Sequence, residues 1–510
     1  MRSVVLPFVT LDDIVRLLHY DYLYLLIIKT YSINTPAGNT IPIAENKRSL
    51  NHEQEAALKS IRQFLNSGGD TFVLKGYAGT GKTFLMQYLA KWLKENNRKF
   101  SMLASTGRAA TVLKGKTGFE SKTVHGEVYR FKNVEGDDEG ITAEDPYDRF
   151  GQMTLRFTAR PPDKDKIVYI VDESSMLSSE PSANFIATFG SGLLLQDFFE
   201  AIGSNKVIFV GDPGQLPPVG QLSSPALDLD WLAANQRTTV SATLEKIERT
   251  VAGNDILILA SGIRELSSQP AVKWPKLPAA NKKNIQLHPS AEELFQEYLK
   301  RYRAVGANGT LAIARSNQQV QKINKRFRQE LYGDDLPIQT GDILLVNRNN
   351  YKVPLTNGDF VEVISIGQQR IYANLNFLSV RVRAITADVE YELLLSLDIL
   401  YGQTGKFSNE QTRGMMIEFS RKMKKKGIRP NTPSYKEEMK KDDFINCLEA
   451  TYGYAVTCHK SQGGEWDSVF LFLDSRMYGM PQGELFRWWY TAVTRAKSEL
   501  HLENGWWIGP

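Results

Sequence analysis

The chain has 510 residues, is 42% hydrophobic and 23% charged, and carries a net charge of +5. That length exceeds one ordinary core and predicts three or four subdomains, and the composition is that of a soluble globular protein. The only cysteines, Cys447 and Cys458, lack a CxxC or His-rich neighbourhood, which argues against zinc and against a disulfide framework and suits a reducing cytoplasm.

Residues 1–48 read as an appendage of unknown role. Their most apolar uninterrupted stretch, Tyr22 to Ile28, is far short of the ~20 residues a membrane span needs. It also lacks the basic start and small-residue cleavage site of a leader, so no membrane partner is expected.

From residue 49 to 236, apolar runs alternate with helical segments, as in a doubly wound parallel sheet. The first run, Thr71 to Leu74, leads into Gly76-Tyr-Ala-Gly-Thr-Gly-Lys82-Thr83, a complete G-x-x-x-x-G-K-[ST] phosphate loop, and a helix-like segment follows. Gly76, Gly79 and Gly81 leave room for backbone N–H groups, with that of Thr80, to close on phosphate oxygens. Lys82 can reach the outer phosphates and Thr83 can hold Mg²⁺. The run Ile167 to Val171 ends in Asp172-Glu173. A carboxylate at such a strand end can hold Mg²⁺, and its neighbour can activate water. A third run, Lys206 to Val210, ends in Gly211-Asp-Pro-Gly-Gln215. Gln215 sits by the terminal phosphate if this strand lies beside the previous one. ATP and Mg²⁺ are therefore the expected cofactors.

Residues 126–163 break the rhythm. Glu127 to Lys132 and Gln152 to Thr158 alternate like strands, joined by the loop 134–151; within it, positions 135–148 hold seven acids and no base. Residues 237–335 begin a second α/β unit with the buried strand Gly309 to Ala314, and residues 446–510 complete it. Between them, 336–404 read as short β segments with an Asn357-Gly358 turn, suggesting a small antiparallel barrel. Residues 405–445 read as helical and basic; positions 421–441 carry nine Lys or Arg against Glu437 and Glu438. That run is either a solvated face or the wall of an anion channel.

The phosphate loop, the strand ending in DESSM, GDPGQLPPVG, and the late TCHKSQGGEWDSV and YTAVTRAK stretches occur in the order of superfamily 1 DNA helicases. Over residues 49–503 the chain resembles the RecD-like 5′→3′ branch, its Dda-like phage members most of all. The resemblance implies two RecA-like motor domains, an inserted strand-separating pin at 126–163, and an inserted barrel with a helical arm. It implies that Gln54 reads adenine and that Glu465 meets the ribose. Arg249 and Arg495 would reach the γ-phosphate, Arg495 as the arginine finger. Ser105, Thr106, His125, Thr457, His459 and Ser461 would touch DNA, and Lys424, Lys425 and Lys426 of the arm would line the strand's channel. An aromatic of the pin, Phe131, Tyr147, Phe150 or Phe157, would meet the last base pair. Tyr77 departs from the family's commoner proline, and no tyrosine beside Arg249 offers itself to stack on adenine.

The expected activity is thus ATP-driven 5′→3′ movement on single-stranded and fork DNA. The resemblance implies a monomer in a bacterial or phage-infected cell, with a single-strand-binding protein as a possible partner. Two alternatives stay open on sequence: an RNA or RNA–DNA helicase, and a nucleotide-gated single-strand anchor that does not unwind.

Overall fold

The computed structural model describes residues 49–135, 154–181, 187–247, 254–334, 336–350, 352–430 and 432–509. The appendage 1–48, Arg249, and the pin-loop aromatics Tyr147 and Phe150 lie outside them. In chain order the strands are β1 (Thr71–Gly76), β2 (Phe100–Ala104), β3 (Ser121–Thr123), β4 (Tyr129–Glu135), β5 (Thr154–Ala159), β6 (Val168–Asp172), β7 (Ala187–Phe189), β8 (Lys206–Gly211), β9 (Thr239–Leu244), β10 (Ile285–His288), β11 (Thr310–Ala314), β12 (Ile343–Val346), β13 (Phe360–Tyr372), β14 (Leu375–Ala384), β15 (Val389–Ser396), β16 (Ala450–Tyr452), β17 (Ala455–Thr457), β18 (Trp466–Phe472) and β19 (Ala496–Glu503).

The first sheet is parallel, in the order β3-β2-β6-β8-β1-β9. Its central strands are apolar at nearly every position because helices cover both faces. Phe72, Val73, Ile170, Val171, Ile208 and Phe209 are fully buried. The helix Lys82–Glu95 contributes Leu85, Met86, Leu89, Ala90 and Leu93 to that core, the one-sided spacing of an amphipathic helix. The sequence reading closed this sheet at residue 236. The structure adds β9, which pairs with β1 from Thr71↔Thr239 to Gly76↔Leu244. Its edge position leaves all but Leu244 at least partly exposed, so its composition lacks the unbroken apolar run that marks the central strands.

A hairpin of β4 and β5 leaves this unit, with β7 parallel to β5 as its third strand. The second parallel sheet runs β10-β19-β18-β11-β17. The chain is therefore α/β with two doubly wound parallel sheets of the RecA-like kind. An antiparallel sheet, β15-β14-β13-β12-β16, is inserted into the second unit. It is followed by the helices Asn409–Lys425 and Pro433–Lys441. Met416, Phe419, Met423, Tyr435 and Met439 of those helices share one buried cluster with Val128, Tyr129, Phe157 and Phe198 of the first unit. The helical arm thus leans its apolar face on the base of the hairpin and keeps its lysines outward.

Candidate nucleotide site and inter-motor cleft

Parallel strands bring their carboxyl ends to one edge, where open α/β sheets bind ligands. At that edge β1 ends in the phosphate loop, β6 in Asp172, and β8 in Gly211-Asp-Pro-Gly-Gln215. β8 lies between β6 and β1, which meets the condition set for Gln215. In the loop, Gly79 and Gly81 adopt φ of +80° and +79°, left-handed values that only glycine takes without strain. A Cβ on Gly76 would stand 2.9 Å from the Lys82 side chain.

Lys82 Nζ donates to the Gly76 carbonyl at 2.6 Å and the Tyr77 carbonyl at 3.1 Å, and lies 4.0 Å from Asp212. The ammonium is thereby stored over the cradle. Thr80 is buried and donates to the Tyr77 carbonyl, bracing the turn. Thr83 lies in the first turn of the helix Lys82–Glu95, which presents its backbone N–H dipole to the loop. Gln54 is buried beneath the loop. Its Nε2 donates to the Thr80 carbonyl at 3.0 Å and its Oε1 accepts from Asn51 N–H at 3.0 Å. One end of this amide props the loop and the other closes the capping box of its own helix, so reading adenine requires it to exchange those partners.

Asp172 accepts from the Glu173 N–H at 2.9 Å. Burial, and next the Glu173 carboxylate, raise its carboxyl to about 7; a divalent cation beside it reverses that shift. Glu173 has φ +50°, a left-handed backbone that a non-glycine residue holds at a cost of ~1–3 kcal/mol and that clusters at active sites. Glu173 Oε2 and Gln215 Oε1 are buried without a hydrogen-bond partner. Each unmet acceptor costs ~1–3 kcal/mol, and a nucleotide, its metal and the attacking water would satisfy both. The donor set therefore fits a Mg²⁺–nucleoside triphosphate.

The helix Gln482–Val493 of the second unit closes the cleft. Tyr490 accepts from the Ala78 N–H of the phosphate loop at 2.9 Å and donates to Asp212 Oδ2 at 2.8 Å. Leu216 donates its N–H to Thr491 Oγ1 at 2.9 Å, and its carbonyl accepts from Gln462 Nε2 at 3.1 Å. Both backbone groups of the residue after Gln215 are thus held by the second unit. The Arg264 guanidinium stacks 3.5 Å from the Tyr77 ring centroid.

Two expected positions differ. Arg495 does not lie at the loop. Its guanidinium is buried and donates to the carbonyls of Thr491 and Gly464 and to Thr494 Oγ1. A buried guanidinium needs acceptors, and here its own unit supplies them; Arg264 is a second-unit cation that does pack on the loop. Ser461 is fully buried and donates to the Cys458 carbonyl, so it cannot reach a strand at the surface. Ser105 Oγ is buried and unpartnered, while Thr106 caps its helix by accepting from Ala109 N–H. His125 stands beside Tyr129 and Phe189, at 5.7 and 6.1 Å. Thr457 opens the short helix Cys458–Ser461, and burial lowers the pKa of His459. Glu465 lies 3.5 Å from Lys116 of the first unit. Phe157 is buried and stacked on Phe189 at 4.7 Å, which removes it from the wedge candidates; the Phe131 side chain lies outside the described residues.

Asp212, Arg264 and Tyr490 were given no role by sequence reasoning. Gly483, Phe486, Arg487 and Tyr490 recur at i, i+3, i+4 and i+7, and with Tyr77 and Arg264 they line one pocket of 370 Å³. That helical spacing was the available signal. Among the described residues no helix is long and apolar enough to cross a membrane, and no group of three or more His, Cys, Asp or Glu side chains is placed to hold a metal.

Residues 49–274 match the AAA domain family, and residues 452–502 match the UvrD-like helicase C-terminal domain. The chain is 23% identical to the ATP-dependent DNA helicase Pif1 of a Psychrobacter species, over 85% of this chain and 65% of that protein. It is 22% identical to an uncharacterized protein of Methanocaldococcus jannaschii, over 92% of this chain and 39% of that one. The chain thus spans less than two thirds of the length of either. Among solved structures it is similar to the Pif1 helicase from Bacteroides in complex with ADP-AlF3 and single-stranded DNA, with 16% identity, coverage of 91% and 95% of the two chains, and a TM-score of 0.46.

Proposed function

We infer that this chain is a Pif1-like superfamily 1 helicase: an ATP-dependent DNA helicase that moves along single-stranded DNA and unwinds duplex. The observation that carries the reading is the convergence of the phosphate loop, Asp172-Glu173 and Gln215 at one sheet edge, faced across a cleft by a helix of the second unit.

Lys82 leaves the carbonyls that store it and turns to the outer phosphates. Thr83 and Asp172 are the residues that would hold Mg²⁺, which supplies charge neutralisation on those phosphates. Glu173 accepts the proton of the attacking water, and Gln215 orients that water. Because the second unit grips the backbone of Leu216, any shift of Gln215 is passed to that unit. Alternate gripping by the two units turns the cycle into movement. The grip falls mainly on phosphates, so it is sequence-tolerant and salt-sensitive.

The direction, 5′→3′, rests on the resemblance to the RecD-like branch and its Dda-like members. The hairpin β4–β5 acts as the pin, and the arm 405–445 as the far wall of the strand's channel. The family expectation is a monomer, with a single-strand-binding protein on the displaced strand. The test is ATP hydrolysis with and without single-stranded DNA, beside unwinding of 5′-tailed and 3′-tailed forks and matched RNA. Stimulated hydrolysis with unwinding of the 5′-tailed DNA fork is expected. Hydrolysis without unwinding of any fork overturns the helicase reading, and unwinding of only the 3′-tailed fork overturns the polarity.

A further inference from the structure

The hydroxyl of Tyr490 engages a backbone N–H of the phosphate loop. In a G-x-x-x-x-G-K-[ST] loop the backbone N–H groups are the phosphate donors. Ala78 is the third residue of the loop, and its N–H is already spent on Tyr490. The same hydroxyl donates to Asp212 Oδ2, and Asp212 is fully buried and 4.0 Å from Lys82 Nζ. Tyr490 is itself almost wholly buried, and burial, then Asp212, hold its phenol well above its ordinary pKa. The hydroxyl is therefore neutral, with one proton to give and one lone pair engaged. It belongs to the unit opposite the loop, and Arg264 of that unit packs on Tyr77, the residue before Ala78. Two contacts from the second unit thus fall on consecutive residues at the end of the loop where Lys82 is also stored.

We propose that Tyr490 is the positioning residue by which the second motor distinguishes a triphosphate from a diphosphate. With no terminal phosphate in place, its hydroxyl ties Ala78 to Asp212 and latches the two motors. A γ-phosphate oxygen takes the Ala78 N–H and repels the Asp212 carboxylate, so the hydroxyl must leave and the helix Gln482–Val493 shifts with it. A diphosphate does not reach that end of the loop and leaves the latch closed. The inference rests on the ATP-site reading given above and assigns a residue to its γ-phosphate subsite.

The test uses the full chain in a Glu173→Gln background, so that bound nucleotide persists, and compares Tyr490→Phe with Tyr490. Affinities for fluorescent ATP and ADP are measured without DNA. Removing a competing neutral hydrogen bond is expected to tighten ATP binding by about three- to tenfold while ADP affinity stays unchanged. Phenylalanine keeps the ring in its packed site, so a merely structural effect moves both nucleotides together and leaves their ratio constant. Asp212→Asn, which weakens the acceptor without emptying the space, is expected to raise the ATP:ADP affinity ratio by less. An unchanged ratio in Tyr490→Phe, or weaker ATP binding, overturns the proposal. If neither nucleotide binds the Tyr490 protein, the ATP-site reading fails instead, so the two failures are separable.

Discussion

Arg108 of the first unit reaches into the second, its guanidinium carbon 4.2 Å from the ring centroid of Trp466 and 4.8 Å from that of Phe360 in the inserted antiparallel sheet. One helix of the first unit and two sheets meet on this side chain. Burial lowers its pKa to about 10, and its Nε and Nη1 have no hydrogen-bond partner. Desolvated cation–π contacts return ~2 kcal/mol each, which roughly offsets ~1–3 kcal/mol for each unmet donor. By that count the arginine's ring contacts and its unmet donors nearly cancel. Around it glycines let side chains close on the backbone: a Cβ on Gly107 would fall 1.6 Å from Thr356 Oγ1, and one on Gly464 would fall 2.8 Å from the guanidinium.

Replacing Arg108 with Met, similar in reach but uncharged, is therefore expected to change unfolding free energy by no more than ~1 kcal/mol while lowering DNA stimulation of ATP hydrolysis severalfold. Chemical denaturation beside a DNA titration of the ATPase checks both. A large stability loss with intact stimulation would make the residue a plain structural anchor.

Hydrolysis has two separable determinants. Lys82→Ala removes the ammonium stored on the Gly76 and Tyr77 carbonyls and is expected to abolish nucleotide binding and turnover together. Glu173→Gln keeps the shape but cannot accept the water's proton, so turnover should fall by about 10²–10⁴ with ATP still bound. Equilibrium binding and steady-state ATPase assays on both variants decide the point; a Gln variant at wild-type rate would place the general base elsewhere.

The meeting of the first unit's strand ends was legible because each is local. Loop, strand-end carboxylates and GDPGQ each lie in one short stretch after an apolar run, and parallel pairing alone brings them together. What crosses the cleft was not legible. Ala78 and Tyr490 are 412 positions apart, and nothing in either segment announces the other. Arg495 was assigned to the phosphate from its motif, but a motif does not say which acceptors a buried guanidinium finds first. Ser461 failed for the same reason, since one turn of helix turns it into the core. β9 was missed because an edge strand carries half the apolar signal of a central one. The basic run was legible as charge but not as pairing: Glu418 and Asp442, just outside the counted stretch, bind Arg421 and Lys422.

The paired histidines of β10 and β19 predict an acid-sensitive second motor. His288 Nε2 and His501 Nδ1 are 3.1 Å apart, and His501 stacks on Phe470. Burial, and next His288, lower the His501 pKa to about 4, against the opposing pull of Glu499 and Glu297. The folded value lies below the unfolded one of ~6.5. The unfolded chain therefore takes up the proton first, and stability present at neutral pH is lost as pH falls from about 6.5 through about 4. The full shift corresponds to a loss on the order of 3 kcal/mol. Urea unfolding at pH 7 and pH 4.5 should show a steeper decline in the parent chain than in His501→Gln; equal slopes would assign the acid sensitivity to carboxylates alone.

The arm's free charge is narrower than its sequence suggests. Lys426 pairs with Glu438 at 2.6 Å, and Lys441 lies 3.6 Å from Glu437. Lys424 and Lys425 are exposed and make no ion pair among the described residues. They close the helix Asn409–Lys425, whose other face is buried with Met416, Phe419 and Met423 against the hairpin base. If the single strand passes this wall, those two lysines displace counterions, each contributing about −0.7 to the slope of log K against log salt. Lys424→Gln with Lys425→Gln should weaken single-strand binding, flatten that slope by about 1.4 and shorten runs along DNA. Lys426→Gln alone should do less, because its charge is already met by Glu438. Fluorescence anisotropy with a labelled oligonucleotide across a salt series measures all three proteins. An unaltered slope in the double variant would return the arm to a solvated face and move the channel elsewhere.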